Sequence, residues 1–367
     1  MADQKIQQKE LKYYRLMEDL KEKILSGEIR TGDKLPSENE LSSQYQVSRQ
    51  TVRKALSILE NAGYIYAEHG RGTFCSEMVR HTRNSKNIAV ITTYLSDYIF
   101  PRVIQGIDSV LTTEGYSIIL KNTRNSRSQE ARCLEELLKK DIDGIIVEPS
   151  KSQIYCKHIN LYHKLDEYQI PYVFIQGCFA QLNEKPHILM DDCKGGYLIT
   201  RHLIETGHKN IVGVFKSDDI QGQNRHKGYA MALQEAGMLY DPDKIVWFYT
   251  EDRAIHPYES IKKMADMKMP MDAVVCYNDQ IAMKVIQALN DAGVRVPEDI
   301  SVTGYDNSYM ANSGGLNLTT IVHPQEKLGE MAAELLLKLI QNGEEAVGER
   351  NIMIEPEIVI GNSCIKR

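Results

Sequence analysis

The chain holds 367 residues, 42% of them hydrophobic and 26% charged, with a formal net charge of -6. That length outgrows a single small core and predicts two or three units of ordinary globular composition. The opening residues, "MADQKIQQKELKYYRLMEDLKEK", hold no apolar run suited to a signal peptide. No later stretch is apolar enough to span a bilayer, so the expected location is the cytoplasm, with no membrane partner.

Charge is uneven along the chain. Residues 1–86 carry 15 Lys and Arg against 12 Asp and Glu, a net of +3, and the remainder carries 29 against 38, a net of -9. The first segment has the sign suited to a polyanion. Seven scattered cysteines show no C-x-x-C spacing, which predicts reduced packing residues rather than a zinc site or a disulfide framework. No metal or cofactor is expected.

Taken in order, "LKYYRLMEDLKEKILSG" sets Leu16, Leu20 and Ile24 at helical spacing ahead of a stop at Gly27. In "GDKLPSENELSSQYQ", Ser37 stands three residues before Glu40, the capping-box signature of a short second helix. The stretch "VSRQTVRKALSILENAG" predicts a third, with Ser48 as N-cap. Its apolar positions Val52, Ala55, Leu56 and Leu59 follow the 3.6-residue period, while Arg49 and Arg53 fall on the opposite side. No carboxylate occurs before Glu60. "YIYAEHGRGTF" then alternates, with two glycines at its tip, and predicts a β-hairpin.

Three helices and a hairpin make a winged helix-turn-helix. A helix fits the major groove, where Arg pairs with guanine and Gln with adenine, and its N-terminal end favours phosphate. The wing tip "HGRG" offers a close backbone approach, with Arg71 suited to a narrow minor groove.

Residues 76–87 are polar and aperiodic and predict a linker between a first domain, 1–75, and a second, 88–367. Beyond it, Val/Ile-rich runs such as "NIAVITTYL", "YSIILKN", "NIVGVFKS" and "DISVTGYD" alternate with helical stretches. These are buried parallel strands of an α/β fold. "KDIDGIIVEPS" and "MPMDAVVCYND" share one pattern, which predicts two doubly wound lobes facing a cleft at the carboxyl ends of their strands. The residues at those ends are Ser96, Asp97, Tyr98, Phe100, Glu148 and Gln176 in the first half. The second half contributes Lys216, Asp218, Asp219, Arg225, Asn278, Asp279, Asp306, Asn307 and His323. Paired donors and acceptors with aromatic faces suit a small neutral polyol. No P-loop, G-x-G-x-x-G, G-x-S-x-G or H-E-x-x-H occurs, so no enzyme is expected.

The run from "GDKLPSENEL" to "SRQTVRKAL" resembles the GntR family of winged-helix regulators. The resemblance implies DNA contacts from Arg49, Gln50, Thr51 and Arg53 on the third helix. It also implies contacts from Asn39 on the second helix and from His69 and Gly70 on the wing, with Lys12 and Tyr13 as further phosphate contacts. From residue 87 onward, "LIETGHKNI", "PEDISVTGYDN" and "LTTIVHPQEKLG" resemble the LacI/GalR regulators, whose sensor is of the periplasmic-binding-protein type. That implies a sugar cleft lined by Arg225, Asn278, Asp306, His323 and Gln176. The hybrid, with "ITTYLSDYIFP" and "CYNDQIAMKVI", is similar to the arabinose repressors of Gram-positive bacteria. This implies a homodimer on palindromic operator DNA, L-arabinose as effector and arabinose-utilisation genes as targets. Composition and spacing alone reach only an uncharged sugar; another pentose, a disaccharide or a purine stays open.

Overall fold

The computed structural model describes residues 2–25, 28–68, 70–76, 85–95, 98–313 and 315–367. Gly27, His69, Ser96, Asp97 and 77–84, most of the expected linker, lie outside them. The chain divides into two compact units, one of residues 1–87 with 135–143 and 159–171, the other of the remainder. The expected partition differs in leaving those two later segments with the second domain.

In the first unit, α1 (Ala2–Leu25), α2 (Glu38–Gln44) and α3 (Arg49–Asn61) precede a hairpin of β1 (Ile65–Glu68) and β2 (Gly72–Cys75). The second helix starts at the expected capping box, with the Ser37 hydroxyl accepting from the Glu40 N–H and Glu40 reaching back to the Ser37 N–H. The third starts at Ser48, whose hydroxyl accepts from the Thr51 N–H. Its apolar stripe joins Leu16, Leu20 and Leu41 in one core. Each fully buried Leu or Val there contributes roughly 1.5–3 kcal/mol. The hairpin pairs antiparallel from Ile65 with Cys75 to Glu68 with Gly72. Its tip needs glycine, since Gly70 has φ +75° and Gly72 φ +121°.

The second unit holds two sheets. The first has strand order β15-β7-β6-β5-β3-β4: β3 (Asn87–Thr92), β4 (Ser117–Asn122), β5 (Gly144–Val147), β6 (Tyr172–Ile175), β7 (His187–Met190) and β15 (Asn351–Ile354). The second has order β11-β10-β8-β9: β8 (Ile211–Lys216), β9 (Ile245–Phe248), β10 (Ala273–Cys276) and β11 (Ser301–Thr303). The strand pairs β3–β5, β5–β6, β8–β10 and β10–β11 are parallel. Both sheets therefore show the doubly wound order in which the chain reverses beside its first strand. The repeated pattern read in the sequence falls on β5 and β10, which hold equivalent places across those two reversal points.

Helices α4 (Phe100–Thr113) and α11 (Gln325–Asn342) pack on the first sheet's core, and α10 (Asp279–Asp291) on the second's. Helices α7 (Asp192–Glu205) and α8 (Ile220–Glu235) meet at backbone distance. A Cβ on Gly196 would lie 2.2 Å from the Arg225 carbonyl oxygen, so only glycine admits that approach. Strands β14 (Thr320–Val322) and β16 (Glu357–Val359) pair antiparallel beside the second lobe. No helix of the described residues is long and apolar enough to cross a membrane.

Candidate functional site

Two surfaces carry the predicted residues. On the first unit, Arg49, Gln50 and Arg53 are exposed on the outer side of α3, Asn39 is exposed on α2, and Gly70 and Arg71 form the exposed wing tip. Two of these cations carry intramolecular counter-charges: Arg53 Nε lies 2.8 Å from Glu38, and Arg71 pairs with Glu68. Exposed pairs of this kind contribute about 0–1 kcal/mol, so separating them costs little.

Thr51 corrects the expectation. It is 5% exposed, and its hydroxyl is shared with the Ser48 cap at 2.8 Å, so it serves the helix start rather than the groove-facing surface. Tyr13 also differs, since it packs against the core with the Lys54 ammonium 3.8 Å over its ring. Lys12 is exposed.

On the second unit, the carboxyl ends of both sheets face a cleft of about 830 Å³, its mouth included. The first lobe lines it with Tyr98, Phe100, Glu148 and Gln176, and the second with Lys216, Asp219, Arg225, Asn278 and Asp306. The loops after the strands set these positions. Tyr98, Gln176 and Asp306 all adopt positive φ, at +63°, +67° and +94°, which turns their side chains at the strand ends. Asn278 and Asp219 are N-caps of α10 and α8, accepting from the Ile281 and Gly222 N–H groups.

Arg225 is 5% exposed and caged. Its Nε donates to Asp192 at 2.8 Å and its Nη1 to the Tyr277 carbonyl at 2.6 Å, while Nη2 lies 3.6 Å from Asp306. The guanidinium carbon stands 3.5 Å from the centre of the Tyr305 ring. Burial opposes its charge, but Asp192 and Asp306 more than restore it and hold its pKa well above the ordinary value. Burial lifts Asp192 to about 6 even with Arg225 pulling the other way.

Lys216 stays charged for the same reason, its burial outweighed by Asp219 at 2.9 Å and Asp218 at 3.7 Å. Burial raises Glu148 to about 7, although one of its oxygens accepts from the Thr93 N–H and hydroxyl at 2.7 and 2.8 Å. The cleft thus holds fixed donors, fixed acceptors and aromatic faces at close quarters, which is chemistry for binding hydroxyl groups.

Of the expected residues, Asp218, Asp279, Asn307 and His323 do not line the cleft. Asp279 is fully buried and spends its carboxylate on the Ser308 N–H and the Thr320 hydroxyl, both at 2.7 Å; burial raises it to about 7. His323 does not line the cleft and meets it only through Gln176, with Nε2 2.9 Å from Oε1. Asp218 is buried under Lys216 and accepts from the Thr250 N–H at 3.2 Å. Conversely, sequence reasoning missed Tyr94, Asn125, Arg253 and Tyr277, all of which line the cleft. Tyr277 was accessible, standing between the β10 run and Asn278. Arg253 and Tyr94 carry no local signal, since what makes them a pair is the stacking of the guanidinium 4.3 Å over the ring across the two lobes.

Residues 12–75 match the bacterial regulatory proteins of the gntR family, and 200–364 match the periplasmic binding protein-like domain. The chain is 42% identical over 364 residues to an arabinose metabolism transcriptional repressor of Halalkalibacterium halodurans, covering 96% of each chain. It is 36% identical to a repressor of the same description from Geobacillus stearothermophilus, covering 96% of this chain and 97% of that one. The solved structure of the transcription regulator CcpA of Lactococcus lactis is similar with a TM-score of 0.66 and 26% identity, over 76% of this chain and 98% of that one.

Proposed function

The chain belongs to the family of arabinose metabolism transcriptional repressors, and from that premise we propose how it represses and what releases it. It is a DNA-binding regulator with a sugar-binding type of second domain, not an enzyme. It binds two-fold symmetric operator DNA as a homodimer in the cytoplasm, each winged helix reading one half-site, with half-sites about 10 bp apart or a multiple of that. L-arabinose fills the cleft, draws the lobes together and lowers operator affinity at the arabinose-utilisation genes. No metal or cofactor takes part.

The observation that carries this reading is the pairing, in one chain, of an exposed cationic helix start with a cleft of buried hydroxyl-binding groups. A coupling of roughly 1–3 kcal/mol between the two sites suffices to empty most operators. A thermal-shift panel of sugars combined with an operator mobility shift tests it, because a ligand stabilises only by binding the folded state. L-arabinose should raise the melting temperature and release DNA. If a purine or a disaccharide does both and L-arabinose neither, the effector is misassigned. If the sugar strengthens the DNA complex, the direction of control is reversed.

A further inference from the structure

Val322 ends β14, and His323 begins the segment that leads into α11. Its ring is 4% exposed and its Nε2 meets Gln176 Oε1 at 2.9 Å. Its backbone N–H points to the Asp306 carbonyl at 3.4 Å, which also accepts from Gln325 Nε2 at 3.3 Å. One residue outside the cleft therefore holds two residues that line it, one from each lobe.

Each of the two keeps an atom without a hydrogen bond. Gln176 Nε2 and Asp306 Oδ1 are buried and have no hydrogen-bond partner among the described residues, although Asp306 Oδ1 keeps its ion pair with Arg225 Nη2 at 3.6 Å. His323 Nδ1 has none either, which assigns the ring proton to Nε2, the nitrogen with an acceptor. Burial pushes the His323 pKa down to about 4, so the ring is neutral and a single donor. A donating Nε2–H forbids the reversed amide, because two N–H groups would then face each other. An unrestrained amide would offer the cleft either its oxygen or its NH₂. This one keeps its oxygen on His323 and has only its NH₂ left to pair, and a ligand that leaves that buried donor unpaired incurs the full desolvation penalty.

We propose that His323 is a positioning residue that locks the Gln176 amide with its N–H toward the cleft, so that Gln176 selects ligands carrying an accepting hydroxyl there. The proposal rests on the reading of the cleft as a sugar site. Its analogue in chemistry is any polar site that rejects a substrate lacking one hydroxyl.

The test uses the full-length protein and calorimetric titration with L-arabinose and each of its monodeoxy analogues. The wild-type protein should bind at least one analogue roughly tenfold more weakly than the parent sugar. His323→Leu should lose roughly tenfold in affinity for L-arabinose and bind that analogue and the parent alike. His323→Gln, whose amide can donate from the same place, should restore the discrimination. Gln176→Leu should match His323→Leu, and the double variant should be no worse than either single one.

Retained discrimination in His323→Leu, or losses that multiply in the double variant, overturns the positioning role while leaving the sugar site standing. A wild-type protein that binds no sugar of the series overturns both. Should His323→Leu fail to fold by circular dichroism, the remaining two variants decide: the proposal survives only if Gln176→Leu loses the discrimination and His323→Gln keeps it.

Discussion

Arginine serves both halves of this molecule under opposite conditions. On α3, Arg49 and Arg53 stand in water, and the exposed pair of Arg53 with Glu38 is worth little. In the cleft, Arg225 is dry, stacked and held by two carboxylates. An exposed cation waits for a polyanion and is screened by salt; a buried one belongs to the architecture and cannot lose a partner without unbalancing it. One set of arginines therefore stands on the solvent surface and the other is built into the wall of the cleft.

The sharpest way to break this contrast is Asp192→Ala. It removes the nearer of the two carboxylates that hold Arg225 and should cost about 3–5 kcal/mol in chemical denaturation. A loss under 1 kcal/mol would place Arg225 among the solvated cations after all. Next comes Arg49→Ala, which should weaken operator binding by about 1–3 kcal/mol and relax preference at one base pair, read by fluorescence anisotropy on operator variants. Its stability should stay within about 0.5 kcal/mol of the parent.

The pH dependence separates the two sites as well. Glu148 is raised to about 7 by burial, and under the proposed function a sugar hydroxyl would donate to its ionised form. Binding would then lower that pKa and release a proton, so affinity should rise with pH and fall by up to about fivefold between pH 7 and pH 6. Titration calorimetry in buffers of different ionisation enthalpy would report the proton, and Glu148→Gln should flatten the profile. The smallest effect belongs to Glu38→Gln, which frees Arg53 and should change stability by no more than about 1 kcal/mol. A larger change would mean that this exposed pair supports the fold.

The winged helix was legible almost residue by residue because its signals are local. A capping box spans four residues, an amphipathic stripe repeats within a helix, and a glycine-tipped hairpin declares its own turn. Even there, Thr51 was misplaced, because one position in a helix start can serve the cap or the groove and only packing separates the two. In the second unit the strands and their reversal points were equally readable, and with them the list of strand-end residues. Which of those residues line the cleft was not. Asp279 and Asn278 are neighbours in sequence, yet one binds Ser308 and Thr320 behind the wall while the other lines the cleft.

By itself the amino-acid order determined the elements, their sequence along the chain, the class of each unit and the chemical character of what each could meet. Periodicity, caps and turns act over a few residues, so a linear reading captures them. The tertiary structure alone decided that Arg225 has Asp192 beneath it, that Arg253 stacks on Tyr94, and that His323 holds Gln176 from 147 positions away. A hydrogen bond or a desolvation cost depends on which atoms lie within a few ångströms. For groups far apart along the chain, that is known only once it has folded.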